Sequence, residues 1–390
     1  MELQLVALLL LARSAMSGLV RRSSCREVVF TVSGTAHNRN ISTVPFTDLE
    51  ALTATFKAND FETFEVSGSQ QVAGWYCEPT EWNCNEGKLQ ILNAPITANR
   101  EYWTALGGTG LTTPPNKPYK PELYSWVDYA NRMGYATLAI DHLGAGKSSH
   151  PNPASETQSP YEVELYHDLV KQIKTDEENP LAKTFQHLVY VGCSYGSEIG
   201  NLLAAVYPDD FQEMILTGWS KLVLPSLPGV TALGAQPASQ VDAKSFADLA
   251  QGYMTTPNET TRTESFFGDP KVVDFEPEVA HLFFQRKDVV SAGQFVSVYV
   301  DTKPAPAFRG RVLVLTGEQD QAFCGPGSSA IDPKPACGDL LRESGELFPN
   351  AEYSWKSIPR TGHALHLHQS AQESLKIAHD FLGGHKFGGE

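Results

Sequence analysis

Two segments near the start of the chain, residues 28–34 (VVFTVSG) and 61–68 (FETFEVSG), alternate apolar with polar side chains. A period of two predicts half-buried antiparallel strands, because successive strand side chains point to opposite faces. Farther along, residues 89–93 (LQILN), 135–141 (YATLAID), 187–192 (HLVYVG), 214–218 (MILTG) and 312–317 (VLVLTG) are short, nearly continuous apolar runs. Strands buried on both faces of a parallel sheet take that form. Helix-period segments at 124–133, 161–174 and 198–207 separate them. Repetition of strand and helix predicts an α/β fold, with a mostly parallel sheet and flanking helices. Between residues 218 and 311, Pro-rich loops (LVLPSLPG) mix with helix-like pieces at 243–254 and 277–287. No connection between neighbouring strands needs that length, so an inserted, largely helical cap is expected.

The organisation this predicts is a leader at 1–17, an N-terminal part of the core at 18–218, the cap at 219–308 and a C-terminal part of the core at 309–390. The leader reads MELQLVALLLLARSAMS, an apolar stretch over residues 5–12 followed by small residues, with Ala15 and Ser17 placed for cleavage before Gly18. That is the form of a secretory signal, although Glu2 replaces the usual basic start. Eight apolar residues are too few to span a bilayer, and no integral membrane span is expected once the leader is removed. A secreted or secretory-route protein makes the sequons at Asn40 and Asn258 candidate glycosylation sites.

Composition narrows the classes further. With 41% hydrophobic and 19% charged residues the chain can bury a core. Its 30 Lys+Arg against 45 Asp+Glu give 30 − 45 = −15, which disfavours nucleic acid as a partner, since phosphate-backbone binding needs a clustered basic surface.

The run HLVYV leads directly into Gly192-Cys193-Ser194-Tyr195-Gly196 and then into a helix-forming stretch. G-x-S-x-G between strand and helix is a nucleophile elbow: its glycines permit a tight turn that lifts the Ser hydroxyl above the sheet. A Ser hydroxyl is a weak nucleophile unless a base takes its proton, and the base needs a carboxylate to fix its tautomer. Asp320 follows the strand VLVLTG and His363 comes 43 residues later, in the chain order this arrangement requires. Ser194, Asp320 and His363 are therefore the expected catalytic residues, with Glu318 as the reserve acid. His363, His366 and His368 also suggest a zinc site. No fourth ligand falls in register, and a helix beginning after His363 would spread the three, so neither a metal nor another cofactor is expected. The G-x-G-K-S within residues 141–149 lacks the spacing of a phosphate-binding P-loop and reads as a structural turn.

These residues resemble the α/β-hydrolases, and more narrowly the secretory-route hydrolases of filamentous fungi. The resemblance covers residues 76–382 and is carried by YCEP at 76, YSWVDY at 124, DHLGAGKSSHP at 141, VGCSYGSEIGN at 191, LTGEQDQAFC at 315 and TGHALHLH at 361. It implies Ser194 as nucleophile, Asp320 as orienting acid and His363 as base. Where such enzymes carry His-Gly after the third strand, this chain has Asn93-Ala94-Pro95-Ile96. With Ala94-Pro95 at those positions, the first oxyanion-hole donor is the Ile96 N–H. A frame one residue earlier would place Pro95 there, which has no N–H to give. The second donor is the Tyr195 N–H.

Of the six cysteines, Cys324 and Cys337 enclose a short Gly/Pro-rich loop after Asp320 and are expected to be bridged. Cys77, Cys84 and Cys25 leave three candidates for one bridge, with Cys77–Cys84 the shortest pairing and Cys25 able to reach either. Cys193 is expected to be a buried free thiol. The reading that follows is a serine hydrolase acting through an acyl-enzyme on a small, apolar ester, lactone or related acyl compound. Two alternatives stand beside it: an acyltransferase or cyclase of fungal secondary metabolism using the same serine, and a non-catalytic binding protein with an impaired oxyanion hole.

Overall fold

A computed structural model describes residues 24–111, 116–231, 233–324 and 337–388. The expected leader at 1–17 lies outside the described residues. Eight strands form the main sheet: β1 (Ser24–Arg39), β2 (Thr63–Glu78), β3 (Lys88–Asn93), β4 (Ala136–Ile140), β5 (His187–Cys193), β6 (Glu213–Thr217), β10 (Arg311–Gly317) and β11 (Glu352–Ile358). A separate antiparallel sheet joins β7 (Gln236–Pro237), β8 (Tyr253–Thr255) and β9 (Val290–Ser291). The principal helices are α1 (Leu49–Ala58), α2 (Trp126–Arg132), α3 (Ser159–Thr175), α4 (Tyr195–Val206), α5 (Glu259–Phe266), α6 (Pro277–Gln285), α7 (Ala292–Val300), α8 (Cys337–Glu343) and α9 (Ala371–Leu382).

The main sheet runs β1-β2-β4-β3-β5-β6-β10-β11. Only the β1–β2 and β2–β4 pairings are antiparallel; the other five are parallel. The apolar runs are strands buried on both faces for a visible reason. Leu188 and Tyr190 of β5 pack with Leu138, Leu216 and Val314 against Leu165 and Leu169 of α3 and Leu202 of α4. Val189 and Val191, pointing the other way, pack with Ile215 and Leu313 against Trp126 of α2 and Leu375 and Phe381 of α9. Each strand thus serves two cores, which removes the polar half of the period-two pattern.

Two local readings differ from the structure. The second alternating strand was expected to stop at Gly68, yet β2 continues to Glu78, its polar centre (Ser69-Gln70-Gln71) carried by unbroken pairing with β1 along all sixteen residues. The helix expected over 243–254 is a single turn, Ala243–Phe246, followed by β8. Pairing of Tyr253 and Met254 with Ser291 and Val290 prevails there over local helix propensity.

The chain reverses its progress across the sheet at β3, which lies between β4 and β5. In open α/β sheets the crevice at the carboxyl ends of the strands beside such a reversal is where ligands sit. The expected P-loop-like turn is structural: Asp141 accepts from Arg100 N (2.9 Å) and Lys147 N (3.0 Å), and Ser148 Oγ donates to Asp141 O (2.6 Å). Among the described residues, no helix is long and apolar enough to cross a membrane.

Two disulfides are present, Cys324–Cys337 as expected and Cys25–Cys77. The Cys77–Cys84 pairing is therefore corrected: Cys25 and Cys77 are register partners across the β1–β2 ladder, while Cys84 is free and exposed. The Cys25–Cys77 bridge spans 52 residues of sequence. Cys25→Ala is expected to lower the unfolding free energy by about 4 kcal/mol, the loop-closure value for that span. Cys84→Ser should stay within about 0.5 kcal/mol of the parent, as surface changes do. Denaturant unfolding of the oxidised proteins checks both.

Candidate active site

β5 ends in Gly192-Cys193, Ser194 forms the turn, and α4 starts at Tyr195. A Cβ on residue 192 would lie 2.5 Å from the Gly196 carbonyl, and one on residue 196 would lie 2.1 Å from the Asn93 oxygen. Strand and helix approach this closely only with glycine at both places. The turn forces Ser194 to φ 58°, ψ −119°, a conformation costly for a side-chain-bearing residue and sustained only by its surroundings. Those surroundings are bonds from Ser194 N to Thr217 O (3.0 Å), from Glu198 N to Ser194 O (3.0 Å) and from Ser197 Oγ to Thr217 O (2.8 Å).

His363 and Asp320 come together from loops following β11 and β10. His363 Nδ1 lies 2.9 Å from Asp320 Oδ2, with the two residues 3% and 1% exposed. Asp320 Oδ1 accepts from Ala322 N (2.8 Å) and Phe323 N (3.0 Å), so both carboxylate oxygens are occupied. Phe323 stacks on the His363 ring at 5.7 Å, and Phe266 of α5 leans on it at 5.5 Å. The Cys324–Cys337 bridge ties down the loop four residues past Asp320. Glu318 is exposed and accepts from Arg360 N (3.4 Å), away from the histidine.

His366 and His368 do not begin a helix. His366 lies within a 3₁₀ turn, Leu365–Leu367, His368 follows it, and α9 starts at Ala371. His366 Nε2 bonds Tyr102 O (3.0 Å) while its ring stacks on Trp103, and burial lowers its pKa to about 4. His368 Nε2 accepts from Gly362 N (3.0 Å), with His363 the next residue. Both rings pack the loop that carries His363.

Ser194, His363 and Ile96 line one cavity, with walls that include Val223, Leu233, Phe266, Phe295, Val298 and Phe323. Asn93 is the last residue of β3 and pairs with Gly192. Pro95 O accepts from Ala98 N (3.3 Å), and the Ile96 N–H has no partner among the described residues. Tyr195 opens α4, whose first N–H groups lack intrahelical acceptors. Its hydroxyl donates to buried Glu162 (3.1 Å), which also receives Gln294 Nε2 (2.6 Å) and Tyr166 (3.1 Å). No motif announces that carboxylate network: Glu162 and Gln294 lie 132 residues apart.

Cys193 is fully buried, with Tyr102 Oη 3.2 Å from its sulfur, and burial pushes the thiol up to about 12. Glu198, one turn into α4, accepts from Trp219 Nε1 (2.8 Å), and burial raises its carboxyl from 4.5 to about 8. The two exposed sequons keep their Asn side chains at the surface, Asn40 beside Ser42 and Asn258 as the cap of α5.

Comparison with known proteins agrees with this architecture. The model of the alpha/beta hydrolase fold family matches residues 109–324, more than half of the chain. The protein belongs to the alpha/beta hydrolase fold family. Similar solved structures include a thermophilic esterase from Thermogutta terrifontis, at 13% identity and TM-score 0.50 over 92% of this chain and 100% of that one. An esterase from Exiguobacterium antarcticum has 13% identity and TM-score 0.51, over 80% and 96%. The enol-lactonase from Burkholderia xenovorans LB400 has 14% identity and TM-score 0.50, over 80% and 97%. At such identities the likeness is one of fold. A search of curated proteins returns no match.

Two outcomes follow from the buried groups. Iodoacetamide should alkylate Cys84 in the native protein and leave Cys193 unmodified until the chain is denatured, as peptide mass spectrometry will show. Glu198 keeps its proton in the folded state at pH values where the unfolded chain has lost it, so its contribution to stability declines as pH rises from 4.5 towards 8. Glu198→Gln retains an acceptor for Trp219, and urea midpoints across that window should become flatter with pH.

Proposed function

We propose that the protein is a serine hydrolase that cleaves a carboxylic ester, lactone or related acyl bond through an acyl-enzyme on Ser194. The observation that carries this reading is the convergence of Ser194 and His363 on one apolar cavity, with the far nitrogen of His363 held by Asp320 at 2.9 Å. In this reading His363 Nε2 takes the Ser194 proton as Oγ attacks the substrate carbonyl. Asp320 holds the imidazole in the tautomer that leaves Nε2 free to accept, and stabilises the imidazolium that forms. The Tyr195 and Ile96 N–H groups are the donors for the developing oxyanion. Collapse of the tetrahedral intermediate expels the alcohol with the proton from His363, and water activated by the same base releases the acid.

An apolar wall of Val, Leu and Phe side chains suits an apolar acyl or alkyl group and offers no fixed cation to a charged one. The cap at 219–308 supplies much of that wall through Val223, Leu233, Phe266, Phe295 and Val298. Secretion after removal of the leader at 1–17, glycosylation at Asn40 and Asn258, and a place in fungal secondary metabolism complete the proposal. The two disulfides are compatible with an oxidising compartment.

A fluorophosphonate probe should label the purified protein on one peptide containing Ser194, and Ser194→Ala should abolish labelling. Absence of labelling in folded wild-type protein would overturn the proposal. Asp320→Asn should slow turnover of a short-chain p-nitrophenyl ester by roughly 10⁴-fold, the cost of presenting the wrong histidine tautomer. Labelling without release of any such ester would point instead to acyl transfer or cyclisation on the same serine.

A further inference from the structure

Thr97, the residue after Ile96, sits at φ 57°, a left-handed conformation that a β-branched residue resists. Every polar group of Thr97 is held from the segment between β6 and β10. Its N–H donates to Val289 O (3.1 Å), and its carbonyl accepts from Asp288 N (2.8 Å) and from Arg262 Nη2 (2.9 Å). Its hydroxyl accepts from Arg262 Nη1 (2.7 Å). Arg262 is 1% exposed, is sandwiched between the rings of Phe283 (4.1 Å) and Phe266 (4.8 Å), and makes no ion pair among the described residues. A guanidinium buried for two neutral acceptors is a costly way to secure stability, because its desolvation is only partly offset by the charge of Asp288, which makes no hydrogen bond to it. The neighbouring geometry supplies another role. Arg262 and Phe266 are four residues apart on α5 and share one face; the first grips the turn after β3, and the second leans on His363.

We propose that Arg262 is a positioning residue for the oxyanion hole: it locks Thr97 in its strained conformation and thereby keeps the Ile96 N–H turned into the Ser194 cavity. The inference rests on the reading of Ser194 as nucleophile. It makes the segment between β6 and β10 part of the catalytic apparatus as well as a cover over it, since one helix steadies both the oxyanion turn and the base.

The test uses Arg262→Met, Arg262→Lys and Thr97→Val, the last removing only the hydroxyl that Arg262 grips. The first readout is the rate constant for fluorophosphonate labelling of Ser194, which needs no knowledge of the natural substrate. The second is the affinity for an alkyl trifluoromethyl ketone, which forms a tetrahedral adduct, relative to the matching methyl ketone, which stays planar. For Arg262→Met, labelling is expected to slow roughly 10- to 100-fold, part of the ~100- to 1,000-fold typical when an oxyanion donor is lost. The preference for the trifluoromethyl ketone should fall by a similar factor, while methyl ketone affinity stays within about twofold, as a defect confined to the transition state requires. Lys should restore part of the loss. Thr97→Val should show the same pattern, more weakly, and should add little to Arg262→Met. Folded variants that melt earlier but keep both the labelling rate and the ketone preference would overturn the proposal and leave Arg262 a packing residue; Thr97→Val serves this purpose if Arg262→Met does not fold. Wild-type protein that fails to label defeats the nucleophile reading itself, a result distinct from labelled wild type with unaffected variants.

Discussion

The close approach of α4 to the end of β3 sets the terms for everything around the cavity. Gly196 lies so near the Asn93 carbonyl that no side chain fits, and the first turn of α4 leaves no room for one at Gly192 either. Together they compress the passage from β5 to α4 into a single residue, Ser194, at φ 58°. The strain at that residue is sustained by the bonds to Thr217 on β6 and by the two cores that clamp β5 from either face. The same contact brings the residues after Asn93 beside the start of α4. Ile96 and Ser194 thus share a cavity wall because two glycines lack side chains.

Around this fixed point the molecule places its polar groups with little solvent to help. Asp320 has both oxygens bonded, Glu162 receives three donors, and Thr97 is held at each polar atom. Such arrangements cost desolvation and return geometric definition when fully satisfied. The segment between β6 and β10 shares in this economy. It contributes Arg262, Asp288 and Val289 to the turn after β3 and Phe266 to the face of His363, so the cover and the floor of the cavity are mechanically continuous.

Much of the fold could be read along the chain, since strands buried on both faces lose their polar alternation and amphipathic helices between them keep a period of 3.6. The G-x-S-x-G context and the order Ser, Asp, His identified three residues that the fold gathers at one end of the sheet. Reading failed where local pattern competed with pairing partners far away. β2 runs through a polar centre because β1 accompanies it for its whole length, and β8 replaces a helix because β9 waits 36 residues on. Cys84 looked like the nearer partner of Cys77, yet the ladder sets Cys25 directly opposite.

By itself the sequence determined the layered α/β architecture, the tight strand-to-helix turn at Ser194 and the chain order of Ser194, Asp320 and His363, because periodicity, glycine placement and residue order are properties of the chain itself. Only the tertiary structure decided which cysteines meet, which carboxylate reaches His363, and how the turn after Asn93 is held. Those outcomes depend on register and on distances between residues far apart in sequence. Arg262 and Thr97, separated by 165 positions, carry no mark of their contact until the fold brings the guanidinium to the Thr97 hydroxyl and carbonyl.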